Sequence, residues 1–168
     1  MLFETYIGLG SNLGNRVSNM MLGLDHIETL AERITVSSLY ETSPVGFQGQ
    51  PRFMNAVCRI STRLNPFTLM AQCKKIESQL GRSRSFPNAP RVIDIDILMH
   101  GHTVIHSPWL QIPHKSMVSR AFVLIPLAEI APNLLHPVFK TSVKQLLEKI
   151  PDKNIDVRRF YTDTIKIT

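Results

Sequence analysis

The order strand, helix, strand, strand, helix, strand along the 168-residue chain predicts an α+β fold: a ferredoxin-like split βαβ sheet with packed helices and C-terminal additions. Three observations carry this prediction. Residues 65–80 read as a helix with its own start and stop signals. Residues 34–40 and 55–62 read as strands on either side of a glycine- and proline-rich loop. The run VIDIDIL at 92–98 alternates isoleucine with aspartate, giving a strand with one apolar and one acidic face.

The elements follow in order. A short strand over 6–9 meets the GSNLGN turn, and a helix from about Asn15 carries Val17, Met20, Met21, Leu24, Ile27 and Leu30 at helical spacing. The β-branched run 34–40 gives the second strand, and 55–62 gives the third. In the next helix Asn65 is the N-cap, Pro66 takes the first helical position, Leu69, Cys73, Ile76 and Leu80 make the buried stripe, and Gly81 ends it. Residues 92–99 are expected to pair as a hairpin with 103–105 through His100, Gly101 and His102. Ser142 with Gln145 forms a capping-box signature for a last helix to about Ile150, and the segment beyond Pro151, with Arg158 and Arg159, reads as a solvated extension.

The length fits a single domain, 1–168, and no repeat or linker divides it. No apolar run approaches the roughly 20 residues needed to cross a bilayer. The start, MLFETYIGLGS, has Glu4 and no basic leader, so the expectation is a cytoplasmic protein. Cys58 and Cys73 lack metal-ligand spacing and read as buried free thiols. A formal charge of +6 favours an anionic partner, whether nucleic acid, membrane surface or phosphorylated small molecule.

Alternation puts Asp94 and Asp96 side by side on one strand face, about 7 Å apart at the backbone, where they can converge on one or two hard cations. A solvated strand face explains the pattern equally well when it is taken alone. Cations surround the pair: Arg82 and Arg84 after the helix, Arg91 before the strand, and His114, Lys115 and Arg120 after Pro113. Arginine forks bind phosphate oxygens and lysine supplies a compact charge, so acids and cations together point to phosphate with metal. Glu77 sits one turn before Gly81 and reads as a solvated helix face.

Gly8, Gly10 and Gly14 complete neither a Walker nor a dinucleotide loop, so they read as a tight structural turn. Phe53 and Asn55, two apart at the start of the third strand, share a face and offer a stacking surface and an amide for a heterocycle edge. A nucleic-acid-binding module and a two-metal nuclease are the competing readings; the first lacks a recognisable motif and the second leaves this loop unexplained.

The motifs GSN at 10–12, YETSPVG at 40–46, FMNAV at 53–57, GRSR at 81–84, APRVIDIDIL at 89–98 and PHKSMVSRAFVLIPLAEIAP at 113–132, in that order, closely resemble the 6-hydroxymethyl-7,8-dihydropterin pyrophosphokinase family of folate biosynthesis. The resemblance implies transfer of pyrophosphate from ATP to the pterin hydroxymethyl group, both small molecules; modest surface apolarity is compatible with a monomer, and neither nucleic acid nor membrane is expected as a partner. It implies two Mg2+ ions held by Asp94 and Asp96, catalysis by these acids with Arg82, Arg84 and Arg91, and ATP contacts from Glu77, Arg84, Arg91, His114, Lys115 and Arg120. Thr42, Pro44, Val45, Phe53, Asn55 and Phe122 are the implied pterin residues. Ser43 stands where many relatives have a second proline, Asn88 where an aromatic is common, and Lys115 where tyrosine or arginine is common.

Overall fold

The computed structural model describes residues 1–44, 49–82, 89–151 and 156–161. Strand β1 (Phe3–Ser11) runs into helix α1 (Arg16–Glu28), followed by β2 (Arg33–Val36), β3 (Leu39–Thr42), β4 (Phe53–Thr62) and helix α2 (Pro66–Gln79). Then come β5 (Asp94–His100), β6 (Ile105–His106), β7 (Gln111–Ile112), a 3-10 turn (Met117–Ser119), helices α3 (Ala121–Ile130) and α4 (Val143–Glu148), and β8 (Val157–Phe160).

The main sheet has the order β5-β1-β4-β3-β8, with β2 also beside β4, and every pairing is antiparallel. The expected split βαβ arrangement is present. Its second strand is broken in two. At the break the Ser37 N–H donates to Val57 O (2.9 Å), the Val57 N–H donates to Ser37 Oγ (3.0 Å), and Ser38 is drawn to Glu129 of α3. The serine side chain thus enters the ladder and interrupts the run expected over 34–40.

One face of the sheet carries α1 and α2 over Ile7, Leu9, Cys58, Ile60, Ile93, Ile95 and Ile97, all buried. The other carries α3 and α4 over Tyr6, Val57, Leu98 and Met99. Asn15 and Asn65 cap α1 and α2 by accepting from Ser18 N and Thr68 N. Gly81 ends α2 at φ +93°, a conformation that a side chain would strain. The Ser142–Gln145 capping box is formed, and both cysteines are buried free thiols.

Three expectations are corrected. The hairpin of 92–99 with 103–105 is absent: Gly101 N–H donates to Glu4 O (2.8 Å), continuing the pairing toward β1, while β6 pairs with β7. The outer edge of β5 is bonded instead by Glu77, whose Oε1 accepts from Ile95 N–H (2.7 Å), and by His114, whose N–H donates to Leu98 O (2.9 Å). The terminal segment is not merely solvated, since residues 157–160 form β8 against β3 and Phe160 packs on the core. Gly8 and Gly10 lie within β1, and only Gly14 (φ +64°) makes the turn. No helix among the described residues is long and apolar enough to cross a membrane.

Candidate active site

The register of three adjacent strands builds the site. Gly10 of β1 pairs with Asp94 of β5 on one side and Asn55 of β4 on the other; Gly8 pairs likewise with Asp96 and Val57. The two glycines therefore form a floor without side chains between an acidic wall and a wall of aromatic and amide side chains. An added Cβ at Gly10 would lie 3.1 Å from Asn55 Oδ1, so the floor and Asn55 are mutually fitted. Over this floor opens a cleft of about 820 Å³, mouth included.

Asp94, Asp96, Arg91, His114 and Arg120 line one end of the cleft, and Thr42, Phe53, Asn55 and Phe122 line the other. Asn55 is buried, and its Nδ2 donates to Thr42 Oγ1 at 2.8 Å, which fixes the amide and leaves its oxygen facing Gly10. The Arg120 guanidinium lies 5.6 Å from the Phe122 ring centroid, linking the aromatic and cationic ends.

The two acids, alike in sequence, differ in surroundings. Asp94 Oδ1 accepts from Arg82 at 2.6 Å and Oδ2 from Arg91 at 2.6 Å. Burial works to raise its pKa, yet the two guanidiniums outweigh it and hold Asp94 below the usual carboxylate range. Burial and the neighbouring Asp94 charge push Asp96 upward instead. Its facing partner is His114, 4.0 Å away, whose own pKa burial lowers against the attraction of Asp96.

Glu77 corrects the reading of a solvated face. It is 3% exposed, raised by burial, and Oε1 accepts from the Ile95 backbone N–H at 2.7 Å while Lys74 (3.0 Å) and Arg82 pair with it. It therefore sits behind the acidic strand and is not among the cleft-lining residues. Lys115, too, lies elsewhere: with Met70, Ile97, Trp109 and Leu110 it lines a second hollow that shares Asp96 and His114 with the first. Arg82 reaches Asp94 from outside the lining, and Pro44 flanks it. Arg84 and Val45 lie outside the described residues.

Sequence reading missed Gly8, Gly10 and Asn12. Asn12 is 1% exposed; its Oδ1 accepts from Arg91 N–H (2.8 Å) and its Nδ2 donates to Gln50 Oε1 (2.8 Å) and Pro51 O (3.1 Å). One buried amide thus ties the arginine segment to the far end of the loop before Phe53. Its type, an asparagine straight after a strand, could have marked it as a loop staple.

A hard-oxygen donor set of two carboxylates fits magnesium, which commonly takes one or two carboxylates and completes its shell from phosphates and water. No group of three or more histidine, cysteine, aspartate or glutamate side chains forms a metal cage among the described residues.

Paired acids, arginines and aromatic side chains thus share one trough of an antiparallel α+β sheet, a set of groups suited to a polyphosphate beside a flat ring. Residues 6–132 match the family model described as 7,8-dihydro-6-hydroxymethylpterin-pyrophosphokinase. The 2-amino-4-hydroxy-6-hydroxymethyldihydropteridine pyrophosphokinase of Pseudomonas aeruginosa is 39% identical over 158 residues, covering 93% of this chain and 97% of that one. That of Aquifex aeolicus is 39% identical over 140 residues, 83% of this chain and 88% of its own. The Folic acid synthesis protein fol1 of Pneumocystis carinii is 43% identical over 154 residues, but the match spans only 20% of that longer protein. Among solved structures, the HPPK-DHPS protein of Plasmodium falciparum shares the fold at TM-score 0.78 and 18% identity, over 96% of this chain and 48% of that one. The chain belongs to the 7,8-dihydro-6-hydroxymethylpterin-pyrophosphokinase family.

Proposed function

We propose that this chain transfers the β,γ-pyrophosphoryl group of ATP to the hydroxymethyl oxygen of 6-hydroxymethyl-7,8-dihydropterin, giving AMP and the pterin diphosphate in folate biosynthesis. The observation that carries the proposal is the joining, in one cleft, of a heterocycle site with an acid and arginine site over a glycine floor. The pterin ring stacks between Phe53 and Phe122 and is read by Asn55, with Thr42 holding the amide. The hydroxymethyl group then points along the floor toward Asp94 and Asp96.

Its oxygen forms a bond to the β-phosphorus and gives up its proton to water, the bond from that phosphorus to the oxygen bridging to the α-phosphorus breaks, and AMP departs with the bridging oxygen. Chemistry of this kind depends on alignment and on charge stabilisation. Arg82, Arg84, Arg91 and Arg120 hold the β- and γ-oxygens, with His114 and Lys115 beside them. The nucleoside end lies in the second hollow, against Trp109, Leu110 and Ile97, because that hollow shares Asp96 and His114 with the cleft and none of the aromatic and amide residues of its other end. Asp94 and Asp96 would hold two Mg2+ ions, whose chemistry there would be to neutralise polyphosphate charge. Glu77 serves the nucleotide side from behind the strand, through Arg82 and Ile95.

The protein acts as a monomer in the cytoplasm, on small molecules only, with residues 1–168 as one domain. Coupled detection of AMP from ATP, Mg2+ and the hydroxymethyldihydropterin tests the reaction. AMP no higher than in a D94A/D96A control refutes it.

A further inference from the structure

The C-terminal strand meets the pterin wall at a defined point. Thr42 of β3 pairs with Phe53 of β4 on one side and Val157 of β8 on the other. One step further along the same registers brings Ser43, Arg52 and Asp156 into a single rung across three strands. Alternation turns the Arg52 and Asp156 side chains away from Thr42 and Phe53, and neither lines the cleft, whereas Ser43 borders it. There Arg52 grips Asp156 with both terminal nitrogens, Nη1 to Oδ2 at 3.0 Å and Nη2 to Oδ1 at 3.2 Å. Ser43 Oγ donates to the same Oδ2 and accepts from Arg52 Nη1 at 2.8 Å.

The cluster is anchored further. Arg52 Nε lies 3.5 Å from Glu41 Oε2, and Arg16 at the start of α1 reaches Glu41 Oε1 and Arg52 O, both at 2.8 Å. With Arg158 Nε 3.9 Å from Asp156 Oδ1, three arginines face two carboxylates, and Asp156 is the acid that comes from the C-terminal segment. Hydrogen bonds from Arg52 and Ser43 pull Asp156 down to about 2, so it stays anionic at any working pH.

We infer that Asp156 is a positioning residue for the pterin: by clamping Ser43 and Arg52 together from behind, it holds Thr42 and Phe53 at the cleft. Nothing in Asp156 reaches the cleft itself; its effect passes through the backbone one residue away on each strand. The inference rests on the pterin binding at this wall. Losing the clamp lowers the fraction of protein with the wall formed, and apparent affinity falls by the same fraction.

The full-length protein carrying D156N tests this, with D156E and S43A beside it. At low salt D156N raises the KM for pterin about fivefold, the ceiling for a solvent-facing ion pair, while kcat and the KM for ATP stay unchanged. D156E, which keeps the charge, recovers most of the loss, and S43A gives a smaller rise. High salt screens the pair, so about 0.5 M NaCl raises the wild-type KM toward that of D156N and leaves D156N unmoved. Amide exchange at Thr42 and Phe53, which needs no substrate, speeds up in D156N. A D156N protein with wild-type pterin KM and unchanged exchange, beside an active wild type, overturns the inference; so does an equal fall in every kinetic constant. A wild type that forms no AMP from pterin refutes the functional reading instead.

Discussion

Replacing Gly10 with alanine asks whether the cleft floor is glycine for want of room. The new methyl carbon would stand 3.1 Å from Asn55 Oδ1, 3.7 Å from Phe53 Cδ1 and 3.9 Å from Met54 O. Comfortable contact begins near about 3.5 Å, so Asn55 must retreat by a few tenths of an ångström. It has little freedom, being 5% exposed and bonded to Thr42 Oγ1 at 2.8 Å. Overpacking of this kind costs about 1–3 kcal/mol, against which alanine recovers roughly 0.5–1 kcal/mol of glycine's backbone entropy. The expected net loss is about 1 kcal/mol in denaturant unfolding. The kinetic effect is larger in kind: a displaced Asn55 forfeits a hydrogen bond worth about 1 kcal/mol or more, so the pterin KM rises about tenfold while the ATP KM holds. Gly8→Ala is the contrast. Its methyl would meet Leu98 at 3.5 Å and nothing closer, so stability is kept or improved. It still stands on the floor between Asp96 and Val57, and turnover falls. A G10A protein with wild-type pterin KM and undiminished stability refutes the fitted-floor reasoning.

The remaining predictions concern charge. D94N and D96N both abolish AMP formation, yet they move stability in opposite senses: D94N strips Arg82 and Arg91 of their partner and costs about 2 kcal/mol, whereas D96N removes a partly exposed charge held against Asp94 and raises the thermal midpoint slightly. Calorimetry of the two nucleotide-free variants decides this. His136 is 4% exposed, and its Nδ1 accepts from Val138 and Phe139 N–H at 3.3 Å, so burial lowers its pKa from 6.5. Between the lowered folded value and 6.5 the unfolded chain takes up a proton that the folded one refuses, so stability is lost as pH falls through 6.5. An NMR titration midpoint at or above 6.5, or a His136→Gln protein with the same loss of stability between pH 7.5 and 5 as wild type, contradicts this.

Helix α2 and the acidic strand were legible in the sequence because each rule involved is local. A cap, a proline, a stripe and a stop glycine lie within one segment, and strand alternation alone puts Asp94 beside Asp96. Helix α3 was not legible as a helix, since FVLIPLAEI is apolar nearly all round and carries Pro126 inside it, so no polar face marks the period. The glycine floor was hidden for another reason. Gly8 and Gly10 resemble turn formers until pairing shows them between Asp96 and Val57, and between Asp94 and Asn55. Glu77 looked solvated because its partner, the Ile95 N–H, belongs to a strand 18 residues away. Pairing partners are long-range facts that spacing does not encode.

The same pairing explains why so much of the site is held from behind. Strand β5 is the sheet's edge, with β1 as its sole neighbour in the sheet among the described residues, so its outward N–H groups need acceptors from outside the ladder. Glu77 meets that need at Ile95, the residue between the two acids, and fixes the pleat from which both project. A neutral acceptor would satisfy the N–H as well. The carboxylate does more, because it also binds Arg82, which in turn bonds Asp94. Arg82 therefore stands between two acids, one buried and one at the cleft. A phosphate entering the cleft competes only for the Asp94 end of this bridge, while Glu77 retains the guanidinium at the site. The charge of Glu77 keeps the arginine within reach of phosphate without occupying any part of the cleft.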